Sequence, residues 1–410
     1  MVENRPKYKT INFVVTANLA DSVARITLEW SKQLINNKYR IIISYPFISH
    51  IDYIRWNISQ QVNNSNFKST KYSFLLFIKL VRIYKLRLFS GIIKFIFGLY
   101  KWDGYKMGSI PKEINFNPYF SLPTNQNMPP ADYLIVMNGC YFIPNCIHLS
   151  KDKGEIIGSL HINYLAAKND PTPVVRDWLE HDLAISKKLN IRILAESQRN
   201  KKVAEDLGVK IGNCIPPGIN FEDFSDSGRR GNVSPIVLML YCASKPQKGL
   251  DFGCDVIAKL REDSTILEKV KICSVSGPTN LMKQEYQELF DFHYGYLDKM
   301  AFHDILKEAD IFLWPEQYSG FASPPLQAMA CGCAVAMTII DGTEEYGVHE
   351  ENSMMAMPSD VETMVNNVNR LIREVELRDR IRKNGLLTVK NYSWEASVDK
   401  LVKFLNEPKR

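Results

Sequence analysis

The sequence predicts an α/β protein of two Rossmann-like, doubly wound domains that face each other across a cleft. Three observations carry this expectation. Apolar runs of strand length alternate with amphipathic helical patterns in both halves of the chain. A stretch rich in turn formers and breakers, from Ile215 to Asn232, separates the two series. The length, 410 residues, is too great for one ordinary core and suits two domains of about 200 residues each.

Ile11 to Thr16 reads as a first buried strand, followed by a helical pattern from Ser22 to Leu34 and a second strand from Arg40 to Tyr45. Further strand-like runs stand at Tyr133–Met137, Glu155–Leu160 and Ile191–Ala195. After the breakers the alternation resumes. Strands are predicted at Ile236–Tyr241, Val270–Val275, Ile311–Trp314 and Ala334–Thr338, with helices at Lys299–Ala309 and from Pro324 to Gly332. Such alternation implies parallel sheets covered on both faces, with ligand in the cleft at the carboxyl ends of the strands. The domains are set at 1–220 and 235–393, with a last helix over 394–410 packing back on the first.

Charged residues at 23% and apolar ones at 45% are globular values. The amino terminus lacks the basic and apolar regions of a secretory signal, and no segment holds 18 uninterrupted apolar residues, so a cytoplasmic chain is expected. Eight scattered cysteines show no paired C-x2-C spacing, and neither a metal nor another cofactor is expected.

The most informative segment is Ser319-Gly320-Phe321-Ala322-Ser323-Pro324-Pro325-Leu326-Gln327-Ala328-Met329-Ala330-Cys331-Gly332. A strand, a turn with a glycine and a helix start present backbone N–H groups and a positive dipole end to an anion, most simply a phosphate. The segment resembles the signature of retaining nucleotide-sugar glycosyltransferases of family 4, which have the GT-B fold and read roughly E-G-F-G-L-P-P-L-E-A-M-A-C-G. It departs at Ser319, Ala322, Ser323 and Gln327, so both carboxylates of the family's E-x7-E pair are replaced. The resemblance is close over about residues 235–405, through Gln247-Lys248-Gly249, Glu344-Glu345-Tyr346 and Tyr392-Ser393-Trp394-Glu395.

The resemblance implies the site residues. Lys248 is placed beside the diphosphate as the charge that stabilises the departing phosphate, with His161 near the donor sugar. Ser319, Gly320, Phe321, Ala322 and Ser323 form the donor loop, Gln327 stands at the ribose position, and Glu345 lies in the neighbouring region. Glu316 either reaches into the space that the Glu at 319 would fill or faces solvent. The Arg that often precedes the Lys is Ala243 here, and the usual Gly-rich first loop is Ala20-Asp21-Ser22-Val23.

Between Tyr53 and Trp102 there is no acidic residue but nine basic ones. Lys79, Arg82, Arg87, Lys94 and Lys101 gather on one side of a helical wheel opposite apolar residues, the pattern of a helix lying on an anionic membrane surface. The alternatives are a core-packed helix pair with solvated lysines and, more weakly, a nucleic-acid face, for which no binding module is present. The expected function is transfer of a sugar from a nucleotide-diphosphate donor to a lipid-linked or cell-surface glycan acceptor at the inner membrane face. The rival is a non-catalytic scaffold for an active transferase. Expected partners are nucleotide sugar, glycan acceptor, the membrane, and a second copy or a partner glycosyltransferase, with no nucleic acid.

Overall fold

A computed structural model describes residues 8–15, 22–46, 111–119, 123–137, 143–160, 183–209, 211–221, 223–231, 234–241, 248–275, 284–295, 297 and 299–408. His161, Ala20 and Asp21 of the first β–α turn, and the whole basic stretch with Lys79, Arg82, Arg87, Lys94 and Lys101 lie outside these residues.

The first sheet runs β3 (Ile114–Tyr119), β2 (Arg40–Pro46), β1 (Thr10–Val15), β4 (Tyr133–Met137), β5 (Glu155–Leu160), β6 (Arg192–Ala195) and β7 (Ile211–Cys214). The second runs β10 (Phe292–Tyr294), β9 (Val270–Val275), β8 (Ile236–Tyr241), β11 (Ile311–Trp314), β12 (Ala334–Thr338) and β13 (Met354–Ala356). Every pairing is parallel. Counted from its own first strand, each sheet has the doubly wound order 3-2-1-4-5-6, to which the first adds a seventh strand. The order reverses between β1 and β4 and again between β8 and β11, where ligands bind in such sheets.

The central strands are continuous apolar runs because both of their faces are covered. β4, β11 and β12 are buried at every position. The longer helices are α1 (Ser22–Asn36), α2 (Gln198–Asp206), α3 (Leu250–Arg261), α4 (Lys299–Glu308), α5 (Ser323–Ala330), α6 (Val361–Arg373), α7 (Val375–Val389) and α8 (Trp394–Asn406). α8 follows the second sheet in sequence but packs with the first. Trp394, Val398, Leu401, Phe404 and Leu405 share a core with Phe13, Trp30 and Ile41.

The chain therefore crosses between the sheets twice, and the two crossings touch. Ile219 N–H donates to Tyr392 O at 2.8 Å, and Ser397 Oγ donates to Pro216 O at 2.7 Å while accepting from Trp30 Nε1 at 2.9 Å. The outgoing crossing is fastened to the second sheet at Asp310, a buried carboxylate that Arg229 and Arg230 approach at 3.4 Å and Arg382 at 2.5 Å. Three guanidiniums and the Val237 N–H satisfy a charge that would be costly alone in the interior.

Gly218 is where the crossings meet most closely. A Cβ there would stand 2.6 Å from the Ser393 carbonyl carbon and from Trp394 Cα, both backbone atoms that cannot step aside. Gly218→Ala is predicted to lower unfolding stability by about 1–3 kcal/mol through overpacking. Chemical denaturation reads the effect, and an unchanged midpoint would contradict the close crossing.

Candidate active site

A cleft of about 370 Å³ opens between the sheets, lined from the second by Tyr241, Lys248, Trp314, Glu316, Ser319, Gly320, Phe321, Ser323 and Pro324. From the first sheet and the crossings come Arg25, Ile26, Glu196, Pro217, Gly218 and Trp394. Tyr241 ends β8 and Trp314 ends β11, so the cleft sits at the switch point of the second sheet.

Lys248 and Glu316 meet because the start of α3 and the end of β11 are pressed together. Gly249 caps α3 with φ +72°, and a Cβ on it would fall 2.7 Å from the carbonyl carbon of Pro315. This brings Lys248, just before the glycine, to Glu316, just after the proline. Lys248 Nζ donates to Glu316 Oε1 and stands 5.8 Å from the Trp314 ring centroid. The Glu316 side chain is 1% exposed and that of Lys248 32%, so the carboxylate is buried while the ammonium reaches the cleft. Burial pushes the Glu316 carboxyl up, against the pull of Lys248.

The loop from Ser319 to Ser323 is pinned from behind. Phe321, Tyr346 and Tyr392 pack ring against ring with centroids 5.9–6.1 Å apart, and Tyr346 Oη donates to Ala322 O at 2.6 Å. Its anion cradle is narrower than the sequence suggests. The Ala322 N–H donates to Gly342 O at 3.3 Å, and Pro324 and Pro325 bring no N–H to the first turn of α5. The positive end of α5 and the amides beside Ala322 carry what remains.

Two further sequence candidates stand apart from the cleft lining. Gln327 is 4% exposed inside α5. Glu345 Oε2 accepts from Gln198 N–H at 2.8 Å, so its carboxylate caps the first turn of α2 and ties the second domain to the first. Arg199 and Asp341 add an ion pair at 3.4 Å across the same junction. Burial pushes both the Asp341 and the Glu345 carboxyls up, opposed at Asp341 by Arg199 and at Glu345 by the Gln198 N–H.

Sequence reasoning missed Arg25, Glu196, Trp314 and Trp394 as cleft residues. Arg25 lies in the opening turns of a helix, Glu196 follows a strand, Trp314 reads as part of a buried strand and Trp394 as the start of the last helix. The structure supplies the signal instead. Glu316 Oε2, Trp314 Nε1 and Trp394 Nε1 are buried polar atoms with no hydrogen-bond partner. All three residues line the same cleft, so the unpaired polar atoms gather around one place. Among the described residues no group of three or more His, Cys, Asp or Glu is set to hold a metal.

Residues 235–374 match the family described as glycosyl transferases group 1. That part of the chain is similar to a glycosyl transferase group 1 domain. The chain is 23% identical over 234 residues to the MMP alpha-(1->4)-mannosyltransferase of Mycolicibacterium hassiacum, covering 55% of this chain and 56% of that protein. It is 28% identical over 101 residues to O-antigen chain mannosyltransferase B of Escherichia coli, covering 25% and 26%. The chain thus spans about half the length or less of these curated relatives. Sucrose-phosphate synthase of Thermosynechococcus elongatus superposes with a TM-score of 0.61 at 14% identity, over 97% of this chain and 98% of that one. Anabaena HepE in complex with UDP-glucose does so at 0.61 and 11% identity, over 97% and 99%. These likenesses show the two-domain GT-B fold.

The ion pair gives the site a pH signature. A carboxyl raised in the folded state holds its proton there longer than in the unfolded chain, so its ionisation weakens the fold as pH rises from its ordinary value of 4.5 through the raised one. Lys248→Ala removes the pull that limits this rise. Its destabilisation should be about 1–3 kcal/mol near pH 8, toward the low end for a broken buried pair because Lys248 is partly exposed, and should shrink toward about pH 5. Urea midpoints across that range test it; a loss independent of pH would contradict the pairing.

Proposed function

We propose that the chain is a retaining, metal-independent glycosyltransferase of family 4 that moves a hexose or deoxyhexose from a nucleotide diphosphate to a lipid-linked or cell-surface glycan. The observation that carries the reading is the cleft itself. One ammonium, Lys248, shares a cleft with a glycine loop and a helix start, and three of the lining residues carry unpaired buried polar atoms. Such a site suits a diphosphate joined to a polyhydroxylated group. The curated relatives are named as transferases, and the scaffold reading is not favoured.

In this reading the diphosphate lies against Ser319 to Ser323 and competes with Glu316 for Lys248. Charge grows on the departing phosphate as its bond to the sugar carbon breaks, and Lys248 with the α5 dipole stabilises that charge. The acceptor hydroxyl attacks on the face the phosphate leaves, which preserves the configuration, and its proton passes to the phosphate oxygen. The freed Glu316 carboxylate accepts from a sugar hydroxyl through Oε2. Gln327 sits close behind the loop, where an amide makes weaker bonds to ribose than a carboxylate would. The first domain, residues 1–220, takes the acceptor. Its basic stretch, with Lys79, Arg82, Arg87, Lys94 and Lys101, lies on the cytoplasmic membrane face, and His161 approaches the donor sugar. No helix among the described residues is long and apolar enough to cross a membrane.

Thermal melting with UDP-, GDP-, dTDP- and ADP-sugars tests the reading. The true donor at 100 times its dissociation constant should stabilise the fold by ~2.7 kcal/mol. Lys248→Ala should lower turnover of that donor by far more than it lowers affinity, because leaving-group charge peaks in the transition state. Melting unmoved by all four classes would contradict a transferase.

A further inference from the structure

The polar wall of the cleft is not confined to the second domain. Glu196 follows β6 directly and Asn200 stands in the first turn of α2, so both belong to the first domain. Glu196 is 6% exposed and lines the cleft. A Cβ on Gly320 would run into Glu196 Oε1 and come 3.4 Å from Asn200 Nδ2. Asn200 is 1% exposed, and neither its Oδ1 nor its Nδ2 has a hydrogen-bond partner. Its backbone N–H donates to Ser197 Oγ at 3.3 Å, which fixes the root of the side chain at the helix start.

We propose that Glu196, with Asn200 behind it, is a hydroxyl-binding subsite that grips the sugar of the donor from the first domain. The assignment rests on the transferase reading. A carboxylate in contact with Gly320 repels a second anion, so the ligand group that meets Glu196 is not the phosphate but a proton donor next to it. A sugar diol is such a group, since neighbouring hydroxyls donate two charge-assisted bonds to one carboxylate. The Asn200 amide offers two donors and an acceptor, and an unpartnered amide in the interior is costly until a ligand meets it. Glu316, with Oε2 unpartnered, borders the same cleft from the second domain. The two carboxylates therefore come from opposite domains, and the subsite is complete only while the domains hold this separation. Gly320 is needed here for space, because any side chain would displace the carboxylate.

Calorimetric binding to the full chain separates sugar from nucleotide. UDP-glucose is compared with UDP, and GDP-mannose with GDP, on the parent, Glu196→Gln and Asn200→Ala. For the pair that the parent binds, Glu196→Gln should weaken the nucleotide sugar about tenfold and leave the bare nucleotide within about twofold, with Asn200→Ala moving the same way. Equal weakening of sugar and bare nucleotide, or no change in either, would overturn the subsite while leaving the transferase reading intact. Unliganded melting temperatures, expected to match for Glu196→Gln and parent, expose a folding defect, and in that case Asn200→Ala alone decides. A parent that binds neither pair would overturn the transferase reading, and the subsite with it, before any substitution is made.

Discussion

The contact between Gly218 and the backbone of Trp394 sets the relation of the two domains. The chain leaves the first sheet through Pro216 and Pro217 and returns to it at Ser393 and Trp394, and at Gly218 the two passages lie against each other. Trp394 then enters the core of the first domain beside Trp30, through Ser397, which bonds both to Trp30 and to Pro216. One polar residue thus joins α1, α8 and the outgoing crossing. Residues of both crossings, Pro217, Gly218 and Trp394, also line the cleft, so the junction of the domains forms part of the wall of the site.

The cleft is electrostatically mixed. Lys248 and Arg25 bring positive charge, whereas Glu196 and Glu316 bring carboxylates, and such a set suits a ligand with one anionic end and one end rich in hydroxyls. A second layer of carboxylates, Asp341 and Glu345, holds the domains together farther out through Arg199 and the first turn of α2. Burial raises Glu316, Asp341 and Glu345 alike. Each therefore loosens the fold when ionised and is restrained by a partner that is either a cleft cation or a group of the opposite domain.

The sequence was most legible where burial was most complete. The central strands β4, β8 and β11 announce themselves as unbroken apolar runs, and β1 and β12 as apolar runs interrupted only at Asn12 and closed by Thr338, because both of their faces are covered. The strands that escaped, β3, β7, β10 and β13, are the four edges of the two sheets. They are short or carry polar residues such as Asn115, Asn117 and Asn213, and an edge strand has one neighbour to select its pattern. In the site, local motifs pointed to Lys248, Glu316 and the loop from Ser319 to Ser323. They did not reveal that the Ala322 N–H is spent on Gly342 or that Glu345 caps α2, since both depend on segments that meet only in the folded chain. Glu196 was illegible for the same reason. Nothing around Ala195-Glu196-Ser197 in sequence tells that a glycine 124 positions later lies against it.

The central claim is that the cleft at the switch point of the second sheet holds a nucleotide diphosphate, with Lys248 released from Glu316 onto the phosphate. A crystal structure of the chain with a bound nucleotide diphosphate tests it most directly. The account predicts the diphosphate against Ser323 and the first turn of α5, with Lys248 Nζ within hydrogen-bond distance of a phosphate oxygen and Glu316 Oε1 free of it. A nucleotide seated elsewhere, for example in the cavity of about 610 Å³ beside Arg192 and Phe404, or a Lys248–Glu316 pair left intact beneath the phosphates, would contradict it.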